Sequence, residues 1–104
     1  MSFILQFTTT KPAAVAWREA QTVPGPNNTN ITTRAWSLSQ PGVLSTVNVP
    51  IDANTVVAYL HFTDQAAADA YIIARDAMPE FQARAAYRVA HGMTMSLKKF
   101  RSIA

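Results

Sequence analysis

"QPGVLSTVNVPIDANTVVAYLHFTDQAAADAYI", Gln40 to Ile72, decides the fold. Pro41-Gly42 ends whatever helix precedes it, because proline cannot continue a helix and glycine accepts the backbone reversal. Val43 to Val49 then reads as a strand, with Val43, Ser45, Val47 and Val49 on one face and Leu44, Thr46 and Asn48 on the other. "PIDAN" predicts a turn, since Pro50 cannot donate to a central ladder and Asp52 and Asn54 favour turn geometry. Thr55 to Phe62 is the clearest strand of the chain. Val56, Ala58, Leu60 and Phe62 alternate with Thr55, Val57, Tyr59 and His61, and the two runs form an antiparallel hairpin. Thr63 or Asp64 caps a helix whose stripe is Ala67, Ala70, Tyr71, Ala74 and Met78.

Working outward, Ser2 to Thr9 is a strand, with Phe3, Leu5 and Phe7 alternating with Ile4, Gln6 and Thr8. Lys11 to Ala20 fits either a helix beginning at Pro12 or an extended connector. "VPGPNN", Val23 to Asn28, breaks the chain and offers Asn27 or Asn28 as the N-cap of a helix running to Gln40 on the stripe Ile31, Ala35, Leu38. Downstream, Pro79 interrupts the long helix and restarts it with Phe81, Ala85 and Val89 on its apolar side. Gly92 stops it with His91 in the last turn, and Met93 to Phe100 is a final strand. The order strand, helix, strand, strand, helix, strand is the ferredoxin-like α+β arrangement, one antiparallel sheet with helices on a single face. Its other face would stay bare and rich in apolar residues, for which a second copy of the sheet is the economical cover.

Composition narrows the functional classes. The 104 residues suit one domain, and with 49% hydrophobic against 14% charged residues the chain buries a core instead of staying disordered. No cysteine is present, which removes disulfides, thiolate metal sites and thiol nucleophiles together. The opening "MSFILQFTTTK" lacks a basic region before its short apolar run, and no stretch approaches the ~20 apolar residues of a membrane span, so a cytoplasmic protein is expected. The net charge is +3, and beyond Phe81 the chain carries Arg84, Arg88, Lys98, Lys99 and Arg101 with no acidic residue. Without interleaved aromatics this reads as a solvated face and not as a nucleic-acid site. Arg75, Asp76 and Glu80 read as another exposed helix face.

Three segments carry a resemblance: "QPGVLSTVNV", "NTVVAYLHFTDQAAADAYI" and "MPEFQA". In these the chain resembles the antibiotic biosynthesis monooxygenase family of the dimeric α+β barrel superfamily, from about Asn27 to Phe100 with the first strand fitting as well. The resemblance implies a homodimer whose sheets close into a barrel, with a cavity between sheet and helices in each subunit. Some members of that family oxygenate aromatic polyketide-type substrates without flavin, metal or haem, and others degrade haem. Phe62 stands where the family usually has tryptophan at the end of the third strand, Tyr71 is the aromatic of the second helix, and Glu80 replaces a frequent histidine. The haem-degrading branch would require an asparagine in the first strand, a tryptophan at the Tyr71 position and a histidine near Ala85. Here Gln6, Tyr71 and Ala85 supply none of them, so no haem is expected.

The candidate residues follow. His61 and His91 are the only imidazoles, the side chains suited to proton transfer near neutrality. His61 shares a strand face with Tyr59, and with Tyr71 these are the catalytic candidates for placing or deprotonating a phenol; a polar residue at a strand end or dimer seam accounts for His61 as well. His91 suits a helix C-terminus. Trp17, Trp36, Phe62 and Phe81 are candidates to line an aromatic-binding cavity, although aromatics equally build cores. No cluster supports a metal site, and no cofactor is expected. Two functions are open: a cofactor-independent monooxygenase acting on a small polyketide-like or quinol-like aromatic, and a ligand-binding or structural homodimer without chemistry.

Overall fold

Alternation of period two builds the sheet. In the computed structural model, which describes residues 2–17 and 22–101, β1 (Phe3–Thr10) lies between β5 (Thr55–Phe62) and β6 (Thr94–Arg101), and β4 (Val43–Asp52) forms the far edge beside β5. The four-stranded order β4-β5-β1-β6 is antiparallel throughout, the ferredoxin-like α+β topology. Register sets Phe3 opposite Phe62, Leu5 opposite Leu60 and Phe7 opposite Ala58. These side chains form the core beneath the helices with Trp36, Ala68, Tyr71 and Phe81.

Helix α2 (Gln65–Asp76) starts where Asp64 accepts the Ala67 amide at 2.8 Å. After Met78, Pro79 opens α3 (Pro79–Ala90), where a missing N–H costs nothing. His91 caps its end, its Nδ1 2.8 Å from the Tyr87 carbonyl and its ring stacked on Tyr87 at 3.9 Å.

Four sequence expectations shift. The first covering helix, α1 (Thr33–Ser39), is shorter than Asn27–Gln40; Thr32 caps it by accepting the Ala35 amide at 3.1 Å. Asn27 and Asn28 sit instead in a single 3-10 turn at φ 59° and 58°, which asparagine tolerates. That turn joins two short paired strands, β2 (Thr22–Pro24) and β3 (Asn30–Thr32), which bring Val23 into the core. Second, the chain from Lys11 to Trp17 has turns and no helix, while Arg18 to Ala20 lie outside the described residues. Third, Pro50 continues β4 opposite Val56, because an edge strand has no second ladder needing its N–H. Fourth, a register shift between Val43 and Ser45 puts Val43 on the helix side but turns Val47 and Val49 outward and Thr46 and Asn48 inward.

The sheet face away from the helices carries Ile4, Val47, Val49, Val57, Tyr59, His61 and Phe100 by the same alternation. Val47, Tyr59 and Phe100 are 51%, 39% and 43% exposed, a large apolar surface for a chain this small. Among the described residues no helix is long and apolar enough to cross a membrane.

Candidate binding cleft between helices and sheet

The helix side of the sheet leaves space where β4, β5 and β1 present small or polar residues. Thr9, Thr46, Asn48 and Ala58 form a floor, with Leu60, Phe7 and Met95 supplying its apolar parts. The resulting cleft has two adjoining lobes of about 150 and 200 Å³, which share Phe7, Thr9, Asn48, Ala58, Arg84 and Arg88 as walls. Together they reach the lower end of the ~300–1,000 Å³ typical of small-molecule sites.

Helices supply the roof, and its chemistry is cationic. Arg34 from α1, Arg75 from α2, and Arg84 and Arg88 from α3 all line the first lobe; Arg84 and Arg88 also line the second. Arg34 donates to the Thr46 carbonyl at 2.8 Å. The guanidinium carbon of Arg75 lies 4.9 Å from the ring centres of both Phe7 and Phe81, and that of Arg84 is 5.7 Å from Phe81. Such contacts hold a cation partly out of water, on an aromatic face. Burial pulls Arg88 below the ordinary arginine value, with the positive charge of Arg75 adding to the effect. Among the described residues no carboxylate or imidazole lines either lobe.

One neutral acid joins them. Tyr71 is 4% exposed, its hydroxyl 2.9 Å from the Ser37 hydroxyl, and its ring packs between Trp36 and Phe62 at 5.6 and 5.3 Å. Burial raises its pKa, against the opposing pull of the Ser37 hydrogen bond and of Arg75 and Arg84. It is therefore a protonated hydrogen-bonding group near neutrality.

The three catalytic candidates do not share this cavity. Alternation on β5 turns Tyr59 and His61 to the bare sheet face, whereas Tyr71 descends from α2 onto the other side. Among the described residues His61 has no hydrogen-bond partner for its buried Nε2, nor Glu80 for its buried Oε2, and neither residue lines the cleft. Of the candidate ligand contacts, Phe81 lines the first lobe and Trp17 the second, where the Trp17 indole donates to the Ala53 carbonyl at 3.1 Å. Trp36 and the fully buried Phe62 belong to the core behind it.

The arginines are what sequence reasoning missed. Phe81, Ala85 and Val89 do not form the inward side of α3: Val89 is 82% exposed, and the inward side is Phe81, Arg84 and Arg88. Those three positions are also at helical spacing, so the signal was present, but hydrophobicity favoured the other flank of Phe81. Arg75 likewise turns inward, its side chain 15% exposed beside Asp76 at 66%. Long arginine stems reach across apolar surface, so their charge does not predict exposure.

No protein-family model matches the sequence, and no curated protein matches it. Similar solved structures exist. Two crystal structures of SnoaB, a cofactor-independent oxygenase from Streptomyces nogalater, superpose over 99% of this chain and 94% of theirs. One, of a point mutant, gives a TM-score of 0.60 at 18% identity, and the other gives 0.58 at 16%. The likeness is one of fold. It agrees with the ferredoxin-like architecture derived from the register, and at this identity it carries no assignment of substrate or of reacting residues.

Proposed function

We propose that the chain is a cofactor-independent monooxygenase whose helix-side cleft binds a small hydroxylated aromatic, working as a homodimer closed over the bare sheet face. The observation that carries this is the cleft's makeup: aromatic and aliphatic walls for a ring system, and four guanidiniums where an oxyanion would form. The SnoaB-like fold supports the same reaction class.

Dioxygen needs an electron-rich partner, and a phenol becomes one by losing its proton. Nearby cations favour the phenolate, so Arg34 and Arg75 lower the bound phenol's pKa by the same physics that depresses a carboxylate beside arginine. The neutral Tyr71 hydroxyl can donate a further hydrogen bond to the oxygen. The phenolate then passes one electron to O2, and the two radicals join through a C–O bond at a ring CH conjugated with the phenolic oxygen. The peroxide takes up the proton that the phenol released, and elimination of water with that carbon's hydrogen leaves a carbonyl. One oxygen atom ends in the product and the other in water, with the substrate as the only reductant.

His61 and Tyr59 keep a place as members of the sheet-to-sheet face and not as cleft residues. A second reading, a ligand-binding dimer without chemistry, is favoured by one feature: no described imidazole or carboxylate lines the cleft, so the phenolic proton must leave through solvent. An oxygen-electrode screen of anthrones and hydroxynaphthalenes separates the two. Oxygenation predicts consumption of one O2 per substrate and a fall of about tenfold or more in kcat/KM for Arg75→Met. No consumption above the buffer rate with any compound would leave the binding dimer.

A further inference from the structure

We propose that the homodimer carries a pH switch at His61, closed near neutrality and released by acid. This rests on the homodimer of the reading above and is independent of its oxygenation chemistry.

The surface concerned is the sheet face away from the helices, and a second copy of the chain is its occupant. Four strands about 4.8 Å apart, with eight residues of about 3.3 Å each, give it a plan area of roughly 500 Å². Side-chain relief adds to that, so each copy approaches the ~800 Å² per partner of a standard complex. Val47, Val49, Tyr59 and Phe100 stand exposed on it, and a second copy brings the same apolar groups to meet them.

His61 lies within this face. It pairs with Ile4 on one side and Ser45 on the other, so neighbouring strands flank it on both edges. The residue is half-buried, and among the described residues its buried Nε2 has no hydrogen-bond partner. A second sheet laid over Val47 and Tyr59 takes more of the ring out of water. A neutral imidazole tolerates that, whereas a protonated one is costly to bury without a counter-charge.

The face supplies none beside it. By register β6 adds Lys98 and Phe100, β1 adds Ile4, Gln6 and Thr8, β4 adds Ser45, Val47 and Val49, and β5 adds Val57 and Tyr59. Lys98 is itself a cation. Asp52 ends β4 opposite Thr55, about 20 Å along β5 from His61, and its carboxylate accepts the Asn54 amide at 2.8 Å. Asp64, Asp69, Asp76 and Glu80 belong to the helices or their caps. Because a twofold interface presents the same face twice, the second copy brings no new kind of group to His61. Imidazole is also the side chain of this face whose charge changes between about pH 5 and 8. Each His61 therefore takes up its proton more readily in the separated chain, and acid draws the equilibrium towards monomers.

The test is sedimentation equilibrium at about pH 7.5 and 5.5, at constant ionic strength, on wild type, His61→Gln and His91→Gln. The dimer Kd of wild type should rise about tenfold or more on acidification, equivalent to about 1.4 kcal/mol or more. His91 stacks on Tyr87 at the end of α3, away from this face, so His91→Gln should show the same rise. In His61→Gln, polar but uncharged at either pH, Kd should change by about twofold or less. Dilution calorimetry of wild type in two buffers of different ionisation heat should show net proton uptake on dissociation, a result that stands even where a variant folds poorly. A Kd unchanged or smaller in acid, no proton uptake, or a rise that survives in His61→Gln would overturn the switch and leave the dimer. A wild type monomeric at micromolar concentration near neutrality would remove the dimer and the switch with it. Oxygen consumption enters none of these readings, so the oxygenase stands or falls separately.

Discussion

Replacing Tyr71 with phenylalanine isolates its hydrogen bond to Ser37 from the packing around it. The ring contacts to Trp36 and Phe62 survive, so no cavity opens and the Leu-to-Ala type of cost does not arise. What disappears is the 2.9 Å bond to Ser37, a residue only 7% exposed, whose hydroxyl is left searching for a partner. A buried hydrogen bond is worth about 1 kcal/mol net, and a stranded hydroxyl adds to that, so Tyr71→Phe should cost about 1–2 kcal/mol. For a domain of this size that lowers Tm by roughly 4–16 °C, measured by calorimetry at fixed protomer concentration. Adding Ser37→Ala should recover part of the loss, because removing both partners leaves nothing unsatisfied.

The pH dependence gives a second arm. Burial raises the Tyr71 pKa above its ordinary value of 10.0, so the folded state holds its proton after the unfolded state has released it. That stability is fully present below pH 10.0 and is lost as pH rises from there through the raised value, at up to about 1.4 kcal/mol per pH unit. Denaturant midpoints between about pH 9 and 11 should therefore fall more steeply for wild type than for Tyr71→Phe. Equal slopes, or a Tyr71→Phe protein as stable as wild type with the double variant no better than the single, would refute the reasoning.

Two further outcomes are expected. At Gly42, φ is +78° and a Cβ would stand 2.5 Å from the Ala67 Cβ and 2.9 Å from the Thr63 hydroxyl, so Gly42→Ala should destabilise by about 2 kcal/mol or more in urea melts; Ala67→Gly on top should recover only the steric share. Val47→Asp places a charge in the exposed apolar sheet face, and sedimentation should show it monomeric at a concentration where wild type is dimeric; a wild type already monomeric at micromolar concentration would remove the dimer from the proposal.

Sequence by itself determined the four strands of the main sheet and their order along the chain, but not the short pair β2 and β3. Period-two alternation in "TVVAYLHF" and the stop-and-start chemistry of Pro41-Gly42, Asp64, Pro79 and Gly92 are local signals, written in adjacent residues, and the structure follows them closely. The cleft's aromatic share was partly legible too, since Phe81 and Trp17 do line it. The cations were not. Whether Arg84 and Arg88 meet water or a cavity depends on the rotation of α3 about its axis, and whether Asn48 points in or out depends on a one-residue shift in β4. Both are settled by how elements distant in sequence pack together. A bulge or a helix rotation costs little locally and reverses which face is buried, so only the tertiary structure could turn an apparent solvated stripe of arginines into the roof of a cleft.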